Sequence, residues 1–162
     1  MQGNWFRHVL RVRYQETDQM GVVYHANYLN WFEIGRTELI RRLGKPYTEI
    51  EALGLLLPVT ELEVKFRAPA RYDDLVVIYT RIVELTHLRT GFEYEIRRAQ
   101  PPAHVEPGFA PREESGREGV FPEGEFLVGG KTRHVWVNRS FRPQRLDKMA
   151  PDIYRLLRQE GS

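Results

Sequence analysis

Apolar and polar residues alternate from about Phe6 to Tyr14. His8, Leu10, Val12 and Tyr14 fall on one side and Arg7, Arg11 and Arg13 on the other, which predicts a half-buried strand. A polar loop through Glu16, Thr17 and Asp18 follows, and near Asn27 the period lengthens. Leu29, Phe32, Ile40 and Leu43 then share one stripe of a long helix that Gly44 and Pro46 end. Gly35 inside that helix costs about 1 kcal/mol relative to alanine, so its presence points to a close backbone approach. A short helical turn is expected from Thr48 to Leu53.

The rest of the pattern is strand-like. Thr60, Leu62, Val64 and Phe66 alternate with Glu61, Glu63, Lys65 and Arg67 until Pro69. Leu75 to Leu85 is rich in Val, Ile and Tyr with little alternation, as suits a central strand covered on both faces. Alternation returns from Leu88 to Arg97, and the brief link at Thr86 and His87 makes these two runs a hairpin. A last strand spans about Phe126 to Asn138, and Ile153, Leu156 and Leu157 mark a short amphipathic helix from Pro151 to Gln159. Five of the ten prolines lie between Gln100 and Gly124 without apolar periodicity, which reads as an extended hairpin loop at about 100–124 within one domain of residues 1–162. One long apolar helix and five strands have only each other to cover them. The expected fold class is therefore α+β, a sheet wrapped over one helix, whose open edges favour pairing between copies.

Composition narrows the function classes. A chain of 162 residues without cysteine has no thiolate nucleophile and no cysteine-held metal, and a net charge of +2 gives no argument for nucleic acid. The charges are uneven: Phe126 to Lys148 holds six basic residues against one acidic, so this late segment can face an anionic ligand. No stretch is long and apolar enough to span a membrane, and the first residues lack a leader pattern, so the expectation is a cytoplasmic protein. No phosphate-loop motif occurs.

The densest chemistry lies between the first strand and the long helix, from Tyr14 to Tyr28. Asp18 is a carboxylate ahead of a helix start, and the N–H groups near His25, Ala26 and Asn27 are among those a helix leaves unpaired. Donors so placed polarise a carbonyl and hold the oxyanion formed on attack, each worth about 3 kcal/mol of barrier. Asp18 can act as a base on water or attack directly. Plain readings compete: Asp18 as a cap or turn residue, Tyr24, Tyr28, Trp31 and Phe32 as core, and Glu33 with Arg36 as a surface ion pair. Glu16 is the one nearby carboxylate able to contest the role of base.

This stretch, continuing through Trp31-Phe32-Glu33-Ile34-Gly35-Arg36-Thr37-Glu38, resembles the hotdog-fold acyl-CoA thioesterases of the 4-hydroxybenzoyl-CoA thioesterase-like family. The later strand order agrees with the hotdog fold, a curved antiparallel sheet around a central helix. The resemblance implies a hydrolase for acyl-CoA thioesters that needs no cofactor and no metal. Asp18 falls at the catalytic position, His25 at the carbonyl-binding amide and Asn27 at the helix opening, with Tyr24 beside them. His25 fits a proton carrier, a substrate contact or a helix-start residue. The resemblance also implies a homodimer or homotetramer with sites between subunits, Arg89 and Thr90 near the nucleotide end of CoA, and Thr60 on a strand that reaches the partner's site. Lys131 and Arg133 offer alternative phosphate contacts. Acyl carrier protein is a second possible carrier. Two other readings stand beside hydrolysis: a non-catalytic acyl-CoA or acyl-carrier-protein binding module, and a hydratase or dehydratase on the same fold.

Overall fold

The computed structural model describes residues 3–99 and 121–162. Strand β1 (Phe6–Arg11) leads through a 3-10 turn (Tyr14–Glu16) to helix α1 (Asn27–Arg42) and the short α2 (Tyr47–Ala52). Four strands follow: β2 (Val59–Phe66), β3 (Leu75–Leu85), β4 (Arg89–Arg98) and β5 (Glu125–Val135); then come α3 (Leu146–Met149) and α4 (Pro151–Glu160). The strands form one antiparallel sheet in the order β1-β3-β4-β5-β2. The α+β sheet-on-helix architecture is thus the one expected, with β4 rather than β3 in the middle. Most of the loop expected at about 100–124 lies outside the described residues. Among the described residues no helix is long and apolar enough to cross a membrane.

Period-two alternation decides which side chains meet α1. Val76, Ile78, Thr80 and Ile82 of β3, Phe92, Tyr94 and Ile96 of β4, and Val128 and Thr132 of β5 are buried beneath the sheet against Tyr28, Trp31, Phe32, Leu39 and Ile40 of the helix. The other face carries ion pairs, Arg81 with Glu93 at 2.6 Å and Arg97 with Glu95 at 2.7 Å. Gly44, at φ +94, ends α1 in the left-handed region that glycine tolerates best.

Gly35 is where helix and sheet come closest. A methyl group there would overlap Thr80 Oγ1 and stand 2.9 Å from Ile78 Cγ2, and the Thr80 hydroxyl is buried without a hydrogen-bond partner. Gly35→Ala is expected to lose about 1–3 kcal/mol by overpacking. Adding Thr80→Ala removes the overlapping oxygen and should return part of that loss in urea unfolding. Unchanged stability in the single variant would mean that the helix is free to stand off.

Two expectations shift. Tyr14 is not in β1 but opens the 3-10 turn and is exposed, because Glu16 Oε1 accepts the Arg13 N–H at 2.8 Å and curls the chain. Strand β2 does not present one covered face: Val59, Leu62 and Phe66 are all exposed on this edge strand.

A buried polar chain also lies under the sheet. Tyr94 and Thr132 hydroxyls are 2.7 Å apart, Thr132 Oγ1 is 2.8 Å from His134 Nε2, and His134 Nδ1 is 3.1 Å from the Leu57 carbonyl. The carbonyl can only accept, so His134 Nδ1 carries the proton and Nε2 accepts from Thr132. Thr132 in turn accepts from Tyr94. Burial pushes the His134 imidazole down to about 4.

Candidate active site

The loop between β1 and α1 is built around Glu16. Its carboxylate accepts the Arg13 N–H through Oε1 and the Trp31 indole N–H at 2.7 Å through Oε2. Its carbonyl accepts the Tyr24 N–H at 2.9 Å and the Asn27 side-chain amide at 2.8 Å. Glu16 therefore ties the 3-10 turn to the first turn of α1 and has no oxygen left over for a base. Glu16→Gln sets an NH2 group against one of the two N–H donors, which is expected to cost about 1–3 kcal/mol in thermal unfolding. An unaltered melting curve would deny it this role.

Asp18 sits half-buried in the tight turn that Glu16 anchors. Its N–H donates to the Val22 carbonyl at 2.9 Å and its carbonyl accepts from the Gly21 N–H at 3.0 Å. Its carboxylate accepts only the Met20 N–H, at 2.8 Å through Oδ1, so among the described residues Oδ2 carries no hydrogen bond. The turn is pinned to the connection between β2 and β3 because Val23, which bridges Thr17, donates to the Ala70 carbonyl at 2.8 Å. Ala70 N–H in turn donates to the buried Tyr28 hydroxyl at 3.0 Å. Burial raises the Tyr28 hydroxyl above its ordinary value, and the charges of Asp74 and Asp18 add to that. Asp18 and the start of α1 are thus held together by one strut of backbone.

The helix start supplies donors. Asn27 N–H goes to the Tyr24 carbonyl at 2.9 Å, Tyr28 N–H to His25 at 3.3 Å and Leu29 N–H to Ala26 at 3.1 Å. The N–H groups of His25 and Ala26 have no acceptor among the described residues. Of the three amides expected to be free, Asn27 is taken up by the turn and two remain. Around them stand aromatic rings: Tyr24 and His25 are 4.5 Å apart, His25 and Phe66 6.4 Å, and Tyr28 and Phe66 5.8 Å. Phe66 escaped the sequence reading because its place on an alternating strand reads as core.

The other candidates lie elsewhere. Asp18 sits at the end of the sheet where β2 and β4 finish, whereas Thr60, Arg89 and Thr90 sit where those strands begin. Six residues of β2 span roughly 20 Å and nine of β4 roughly 30 Å, so one chain does not bring the two groups together. Thr60 is exposed at a bulge and donates to the Arg133 carbonyl at 3.1 Å. Arg89 is exposed. Thr90 packs in the core rather than beside it, accepting the Trp136 indole N–H at 3.0 Å. Lys131 is exposed on the outer face, and Arg133 there is already paired with Glu61 at 3.2 Å and Glu84 at 3.1 Å. The surface pair expected between Glu33 and Arg36 is not formed; the nearest such pair on α1 is Arg41 with Glu38.

A carboxylate with one oxygen to spare, on the loop that leads into a helix start with two unpaired amides and aromatic rings around them, is equipped to activate an attacking group and hold an oxyanion. The model of the thioesterase superfamily matches residues 20–103, beginning two residues after Asp18. A Bacillus subtilis protein with the provisional name acyl-CoA thioesterase YneP is 35% identical over 144 residues, 88% of each chain. The acyl-CoA thioesterase YbgC of Haemophilus influenzae is 37% identical over 99 residues, 60% of this chain and 73% of its own. The crystal structure of a DHNA-CoA thioesterase from Staphylococcus aureus superposes with a TM-score of 0.78 at 29% identity, covering 96% of this chain and 89% of that one.

Proposed function

The chain belongs to the thioesterase superfamily, and from that membership we propose that it is a thioester hydrolase that cleaves acyl-CoA into free acid and CoA. One observation supports the assignment of roles: Asp18, whose Oδ2 carries no hydrogen bond among the described residues, lies on the loop that leads into the helix start where the His25 and Ala26 amides are free. The amides receive the thioester carbonyl oxygen. Asp18 takes a proton from water as the water oxygen adds to the carbonyl carbon, and the oxyanion is held until the carbon–sulfur bond breaks. CoA leaves as thiolate and recovers a proton. In the alternative route the Asp18 oxygen itself adds, and water later opens the resulting anhydride. Tyr24, the His25 ring and Phe66 line the acyl side.

The site is completed by a second copy. Outer positions of β2 read Glu61, Glu63 and Lys65, and Arg67 follows directly after the strand. If two copies of β2 pair antiparallel about Val64, each acid meets a base, whereas parallel pairing sets like charges together. The same pairing carries Thr60 of the partner subunit from the far end of the sheet to the Ala68–Ala70 end, beside the Asp18 turn. This supports a homodimer with composite sites, and a tetramer is two such pairs.

The test is release of free thiol from a panel of acyl-CoA and acyl-carrier-protein thioesters. Thiol release with wild-type protein is the expected result. Tight binding with no thiol release, or a change in chain unsaturation with the thioester intact, would overturn hydrolysis in favour of a binding module or a hydratase.

A further inference from the structure

Tyr28, Phe32 and Arg36 recur every fourth residue and so share one face of α1. Opposite them β2 sends Phe66, Val64 and Leu62 to the helix side of the sheet. The two stripes run in step, since four helical residues advance about 6 Å and two strand residues about 6.6 Å. The Tyr28 and Phe66 rings, 5.8 Å apart, set their register. Leu62 and Phe66 remain 47% and 56% exposed, so the strand side of this strip is open, while the Tyr28 and Phe32 rings are buried along its helix side. It starts at the free amides of His25 and Ala26 and reaches Arg36 within roughly 15 Å, the rise of ten helical residues.

Arg36 does not belong on such a strip without a counter-charge. It is half-buried, its charge is felt at Tyr94, Tyr47 and His134, and it forms no ion pair among the described residues. The polar chain beneath the sheet gives it no anion. With Tyr94 donating to Thr132 and Thr132 to His134, the Tyr94 oxygen can accept one guanidinium N–H, and the other four have no fixed acceptor there. A half-withdrawn cation is costly unless an anion meets it.

Building on the thioesterase reading, we propose that Arg36 determines specificity by pairing with a carboxylate at the far end of the acyl group. The preferred thioesters then carry an acid tail whose length matches the strip. A guanidinium suits this because it accepts a carboxylate through two parallel hydrogen bonds.

The experiment measures kcat/KM for a homologous series of dicarboxylic acids bearing CoA at one end, against plain alkyl thioesters of equal length. Wild-type protein should favour the acid tail at one length. Arg36→Met should lower the acid-to-alkyl ratio at that length roughly ten- to hundredfold, the worth of one charged hydrogen bond, and Arg36→Lys should restore part of it. Hydrolysis of alkyl thioesters with no acid preference in wild-type protein overturns this proposal and leaves the hydrolase reading standing. Hydrolysis of neither series overturns the hydrolase reading itself. If Arg36→Met and Glu33→Gln both dissociate the oligomer and slow all substrates equally, Arg36 serves a contact between copies and the proposal falls. Should Arg36→Met not fold, the wild-type length profile and Arg36→Lys still decide.

Discussion

Asp18→Asn is expected to lower kcat for thioester hydrolysis by about 10²- to 10⁴-fold, the usual worth of a positioned base, while the fold stays intact. The amide keeps an oxygen for the Met20 N–H, and the backbone bonds that close the turn, from Asp18 N–H to Val22 and from Gly21 N–H to Asp18, do not involve the side chain. Only the capacity to take a proton or attack is lost. Thiol release and thermal unfolding, measured on the same preparations, check the two halves of this expectation. Equal rates in the two proteins would remove Asp18 from the chemistry. A single turnover in heavy-oxygen water tests the base route, since label in the Asp18 carboxylate marks direct attack followed by opening of the anhydride at the aspartyl carbonyl.

Acidification should expose the second large effect. His134 is held at about 4 by burial, against an ordinary value of 6.5. Between those values the unfolded chain binds a proton at this residue and the folded chain does not, so stability falls as pH drops from 6.5 and levels off below 4. The full difference corresponds to about 3 kcal/mol. The direction also follows from the hydrogen bonds, because a second proton on Nε2 would confront the donor that Thr132 presents. Carboxylates titrate in the same window, so the measurement is the difference between wild type and His134→Gln in urea unfolding at pH 7 and pH 4.5. The variant should show the shallower loss. Parallel losses would mean that the imidazole charges freely in the folded protein.

Much of this molecule is legible in one dimension. The change of period near Asn27 marks α1 because its buried residues are local in sequence, and Gly44 stops it through a backbone angle that belongs to that residue alone. That Asp18 lies on the loop leading into this helix start is legible for the same reason, since eight residues separate Asp18 from Ala26. What depends on register across the sheet is not. Tyr94, Thr132 and His134 each sit unremarkably on alternating strands, and only the β4–β5 pairing brings them into one chain of hydrogen bonds. The tie from Glu16 to Trp31 has no period to betray it. Arg36 looks like half of a surface pair until the curvature of the sheet turns its face inward.

Strand β2 shows a further limit of pattern reading. Alternation cannot distinguish a strand already covered from one still waiting for a neighbour, and Thr60 to Arg67 reads identically in both cases. The exposure of Leu62 and Phe66 is what separates them.

That bare strand has a consequence during biogenesis. A newly made copy carries an adhesive edge, with unpaired backbone donors and three protruding apolar side chains, and any extended peptide in a crowded cell can zip onto it. Its acid-then-base lettering makes a sister copy the better match and an arbitrary strand the worse one. With the proposed pairing of two β2 strands, yield of the native protein should depend on how quickly copies meet.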